Sequence, residues 1–130
     1  MKQNMKLNKK GQSLVETALI LPVIILLLMG MFEFTRIFGS YLLITYTGRE
    51  SARLASVGKT DEQIIERINT KSGLLDLANL QVVIDPSGER RTGQDVRINI
   101  KYKIVIYAPV IQSIVPNPFY IESNTYMRVE

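Results

Sequence analysis

At 130 residues the chain has room for one membrane element and one small domain, and not for two globular cores. Its formal charge of +4 invites a nucleic-acid reading, but Lys2, Lys6, Lys9 and Lys10 supply the whole excess. Residues 12–130 carry 12 basic and 12 acidic side chains. A nucleic-acid footprint needs a basic stripe on the folded domain, and Arg90-Arg91 at a turn is too little, so no nucleic-acid partner is expected. Cys is absent, which excludes disulfides and Cys-type metal sites; His is absent too, which removes the commonest general base and metal ligand. Asp and Glu do not cluster at ligand spacing and there is no glycine-rich phosphate loop. The composition thus points away from an enzyme, and no cofactor or metal is expected.

The N-terminus carries the strongest pattern. Four lysines precede Gly11, no acidic residue occurs among the first fifteen, and GQSLVE (Gly11–Glu16) leads into a charge-free run from Thr17 to Phe32. A secretory signal places its small residues after the apolar core. Here the small residue comes first, so a cut after Gly11 would leave the apolar run on the mature chain. The lysines also set an orientation, with the N-terminus cytoplasmic and the rest exported under the positive-inside rule.

One long helix is expected from Ser13 to about Val57. Its charge-free part between Glu16 and Glu33 spans about 24 Å at ~1.5 Å per residue, against a ~30 Å hydrocarbon core. Leu14, Val15, Phe34, Ile37 and Phe38 extend the apolar surface at either end. Pro22 removes one backbone hydrogen bond and predicts a kink or local loosening. Glu33 and Arg36, three apart, are placed to pair near the interface. Beyond the membrane, Gly48, Ala52 and Ser56 recur every four residues, with Ser51 and Ala55 beside them. Small residues at that spacing admit a second backbone closely: either the protein's own C-terminal domain or a neighbouring subunit. Arg49 and Arg53, also four apart, lie on another face, within reach of carboxylates such as Glu50 or of the sheet.

Gly58 should end this helix. Thr60-Asp61-Glu62-Gln63 reads as a capping box for a short second helix with Ile64, Ile65 and Ile68 on one face, closed at Ser72-Gly73. Leu74–Asn79 fits either a helical turn or a loop. Leu80, Val82 and Ile84 alternate up to a turn at Asp85-Pro86-Ser87-Gly88. Val96 to Ile106 alternates most cleanly, a half-buried strand with one wet face. Pro109, Pro116 and Pro118 mark a long connection, and Phe119 to Val129 forms a last strand. The expected fold is α+β: a long N-terminal membrane-spanning helix, a short second helix, and a three-stranded antiparallel sheet packed on the exported part of the long helix. Such a sheet is marginal alone and needs a helix against it. The expected organisation is a basic leader at 1–11, a transmembrane helix at 12–39 and an exported α+β domain at 40–130.

With these residues in view, the chain resembles a known family. Gly11 with Glu16 five positions on, followed by an apolar helix, resembles the signal read by prepilin peptidases in type IV prepilins. TGRESARLASVG (Thr47–Gly58) is similar to the Arg–small–small–Arg segment after the membrane helix in TadE-like proteins, the minor pseudopilins of tight-adherence (Flp) pilus systems. Major Flp pilins usually carry Glu-Tyr at the fifth and sixth mature positions; here Glu16 is followed by Thr17, which favours the minor subunit. The resemblance implies cleavage between Gly11 and Gln12 and a role for Glu16 in assembly, where it would meet the amine freed on Gln12. It also assigns Gly48, Arg49, Ser51, Ala52, Arg53 and Ala55 to the family motif and to helix packing. The implied partners are a prepilin peptidase, other pilin or pseudopilin subunits, the pilus assembly machinery and membrane lipid. The alternative is an uncleaved single-pass anchor whose extracytoplasmic domain binds something.

Overall fold

The computed structural model describes residues 9–130; most of the expected basic leader, residues 1–8, lies outside them. Helix α1 runs from Lys9 to Ser56, 48 residues, and is continuous through Pro22. It is helical from the first described residue, so Gly11 and Gln12 lie in helix rather than in extended chain. The segment is long and apolar enough to cross a membrane, and no residue of its most apolar window is buried among the described residues.

The helix ends as its sequence directs. Gly58 adopts a left-handed φ of 82°, the Gly58 N–H donates to Ala55 O at 3.2 Å, and the Lys59 N–H donates to Leu54 O at 3.1 Å. This pair of bonds is the Schellman arrangement, which satisfies carbonyls that the helix itself leaves open. Helix α2 (Asp61–Lys71) starts with the expected capping box. Gln63 N–H donates to Thr60 Oγ1, and Thr60 N–H to Gln63 Oε1 at 3.2 Å. Ile64 and Ile68 are buried, while Ile65 is 41% exposed. The ambiguous stretch resolves as a 3-10 turn at Leu77–Asn79, capped by the Asp76 carboxylate.

Strands β1 (Leu80–Asp85), β2 (Asp95–Ile104) and β3 (Phe119–Arg128) form an antiparallel sheet in the order β1-β2-β3. Ile84 lies opposite Ile98, Ile100 opposite both Val82 and Ser123, and Ile104 opposite Phe119. This register puts Val96, Ile98, Ile100, Ile104 and Ile121 on the face turned to α1, all buried. The buried positions of α1 (Glu33, Ser40, Ile44, Thr47, Gly48, Ser51, Ala52, Ala55 and Ser56) follow helical spacing and form the facing stripe. The Glu130 N–H donates to Ser56 O, so the end of β3 sits at the C-terminal end of α1 and Phe119 at the end nearer the apolar run.

Two sequence expectations change. The strand expected to reach Ile106 stops at Ile104, and the expected long connection contains a short helix, α3 (Pro109–Ile114). Pro109 accounts for it: its fixed φ suits the first helical position, where a missing N–H costs nothing. The small-residue stripe, for which two occupants were open, is covered by the chain's own sheet. A Cβ built on Gly48 would meet Thr125 Oγ1 at 3.2 Å, Ser123 Oγ at 3.3 Å and Ile100 Cδ1 at 3.7 Å. Glycine is required there by close approach of β2 and β3, and not by any special backbone angle.

Candidate functional site

The residues singled out in the sequence fall into three places along α1. At its start, Gly11, Gln12 and Glu16 are all exposed, and a Cβ on Gly11 would meet nothing within 4 Å. Among the described residues Glu16 takes part in no ion pair. It is a carboxylate on the rim of an uncovered apolar helix, and such a group is costly in lipid without a partner.

At the far end, Gly48, Ser51, Ala52 and Ala55 are buried beneath the sheet. Their smallness sets the distance between α1 and the strands. Arg49 and Arg53 project from the opposite side, exposed, and among the described residues neither forms an ion pair. The carboxylate within reach in sequence, Glu50, is held instead by Arg67 of α2 through two bonds of 2.8 and 2.9 Å. Leu42 (51% exposed) and Tyr46 (61%) also remain uncovered in this part of the helix. This half of α1 thus has one face committed to its own sheet and another carrying two cations, without ion-pair partners among the described residues, beside apolar side chains.

Between these places lies a cluster that the sequence only half revealed. Glu33 is 5% exposed although it sits next to the apolar run. Its Oε1 accepts the Tyr107 N–H at 2.5 Å and the Ala108 N–H at 3.1 Å, and its Oε2 accepts from Arg36 at 2.6 and 3.0 Å. Arg36 in turn donates to the carbonyl of Val105, and its guanidinium lies 5.0 Å from the centre of the Tyr107 ring. The expected pair is present, but its main role is to latch the segment after β2 onto α1. Two signals could have found it. Glu33 lies on the same helical stripe as Ile37, Ser40 and Ile44, and Ala108-Pro109 marks a helix start that needs an acceptor. A second clamp holds the other end of the sheet: Asp61 accepts from the Gly88 N–H at 2.8 Å and from Arg90, whose side chain is only 3% exposed. Arg90 is thereby used inside the fold.

Residues 11–53 match the family model described as TadE-like protein. No curated protein and no solved structure matches the chain. The matched span begins at Gly11 and ends at Arg53, so it covers the apolar run and the Arg49–Arg53 stretch but not the sheet. Over residues 11–53, about a third of the chain, the sequence is similar to TadE-like proteins, a likeness that points toward the tight-adherence pilus system.

Proposed function

We propose that this chain is a minor pilin or pseudopilin, a non-catalytic structural or assembly subunit of a tight-adherence pilus, processed by a prepilin peptidase after Gly11. The observation that carries the reading is the coincidence of the TadE-like match with a single unbroken helix. That helix joins Glu16, the apolar run and the packing stripe in one rigid element. A subunit built this way can be anchored by its helix, present a domain outside the membrane, and pack against other helices when assembled. In this reading the leader is cytoplasmic and the domain from about Tyr41 onward is extracytoplasmic. Glu16 would pair with the amine of Gln12, on its own or a neighbouring subunit. In low dielectric that pairing favours both ionised forms and sets the axial register. The exposed Arg49 and Arg53 are the groups best placed to meet acidic side chains of a neighbour.

The test is Glu16→Gln, which keeps size and removes charge. The variant should be processed and inserted, and its exported domain should resist protease as the wild type does. It should nevertheless fail to join pili or to support their assembly. Normal pilus yield, with wild-type co-purification of the variant with the major pilin, would refute the pairing and leave Glu16 an interfacial residue.

A further inference from the structure

Residues 104–121, from Ile104 to Ile121, contain no charged side chain, and this stretch is longer than the charge-free run of α1 itself. Parts of it enter the core: Ile104, Ile106, Ala108 and Ile121 are buried. The rest is turned outward, with Tyr107 70% exposed, Val110 49% and Ile114 77%. An apolar surface of this kind on a lone exported loop would face water. Its position shows otherwise. Ile111 Cδ1 lies 3.8 Å from the Cβ position of Gly30, so α3 sits beside the last turn of the apolar run, one turn inside Glu33. Just before α3, a groove of about 650 Å³ lies between Tyr107-Ala108 and α1, lined on the helix by Ile25, Leu28, Met29 and Phe32 among others. At that level of a membrane-crossing helix the surroundings are acyl chains.

The backbone of this segment is prepared for such surroundings. In lipid each exposed N–H and C=O must find a partner within the protein. The N–H groups of Tyr107 and Ala108 are taken by Glu33 and the Val105 carbonyl by Arg36. The Ile106 N–H is taken by Asn117 Oδ1 at 3.1 Å, and its carbonyl by Gln112 Nε2 at 2.6 Å. Charges resume only at Lys103 on one side and Glu122 on the other. Tyr107, over Arg36, has the amphipathic ring that favours the headgroup level.

We propose that the segment Tyr107–Ile114 is a second membrane contact. Helix α3 seats in the leaflet on the exported side, its occupant being bilayer lipid, and fixes the height and tilt of the sheet domain over the membrane. The contact rests on α1 crossing the membrane and is independent of the pilus reading.

The chain has no tryptophan, so single-tryptophan variants report their surroundings without background. The full-length chain is placed in nanodiscs at one copy per disc, with lipids brominated on their acyl chains as one quencher and aqueous acrylamide as the other. Leu27→Trp marks the span, Tyr126→Trp marks the distal end of the sheet, and Ile114→Trp and Val110→Trp report α3. The expected result is blue-shifted emission at 114 and 110, lost to bromolipid as at 27 and spared by acrylamide. Quenching by acrylamide alone, as at 126, would overturn the proposal. So would shielding from both quenchers, which would mean that protein covers α3. Failure of Leu27→Trp to be quenched by lipid would overturn the membrane reading of α1 and this contact with it.

Discussion

Replacing Glu33 by Ala should detach the segment around α3 without unfolding the sheet. The substitution removes a buried carboxylate that accepts two backbone N–H groups and holds Arg36. Hydrogen bonds to charged groups contribute about 1.5–3 kcal/mol each, and breaking a buried pair costs about 3–5 kcal/mol. Arg36 is 40% exposed and regains water, so part of that loss is recovered. A local opening free energy lower by about 2–4 kcal/mol is therefore expected, which is roughly thirtyfold to a thousandfold in an opening equilibrium. Hydrogen exchange of the Tyr107 and Ala108 amides, measured in nanodiscs, should accelerate by that factor. Amides of Ile98 and Ile100, deep in the sheet, should keep their protection. Glu33→Gln, which retains an acceptor oxygen, should fall between the two. Unchanged exchange at Tyr107 and Ala108 in Glu33→Ala would refute the latch; equal acceleration throughout the sheet would show that Glu33 supports the whole domain.

Gly48→Val should destabilise the sheet domain by about 1–3 kcal/mol through overpacking against Thr125, Ser123 and Ile100, read as a lower denaturation midpoint. Gly39→Ala, with nothing within 4 Å of its new methyl, should leave that midpoint unchanged or higher. The amide of Asn99, and secondarily that of Asn124, holds the Glu122 carboxyl below the usual carboxylate range. A carboxyl depressed in the folded state favours folding above its unfolded pKa, and that contribution fades as pH falls through the folded value. Asn99→Ala should therefore move the Glu122 titration upward toward the ordinary range, as followed by NMR of its side-chain carboxyl; an unmoved midpoint would count against this cause.

Much of the fold was legible because local signals and burial agreed. The alternation from Val96 onward, the Thr60–Gln63 capping box and Gly58 as a helix stop each depend on residues within one element, and each appears where expected. The small residues from Gly48 to Ser56 showed that something packs closely there, but spacing alone could not tell a partner's backbone from the chain's own. The sheet decides it. Helix α3 was hidden because three prolines read as interruption, and Pro109 in fact starts a helix. Glu33 was legible as half of an i,i+3 pair. Its two backbone donors lie 74 and 75 residues away, and no pattern near Glu33 itself points to them. The processing and assembly roles proposed for Gly11, Gln12 and Glu16 depend on a second molecule and so are not written in the fold of one chain.

The proposed role as a processed pilin-like subunit is tested most directly by the mature N-terminus. The protein should be purified from its native membrane, in cells that hold a prepilin peptidase, and its intact mass and N-terminal sequence determined. The account predicts a chain that begins at Gln12, with the four lysines gone, and retention of the leader when Gly11 is replaced by a bulky residue. A membrane-resident mature chain that still begins at Met1 would contradict it and leave a single-pass anchored protein in its place.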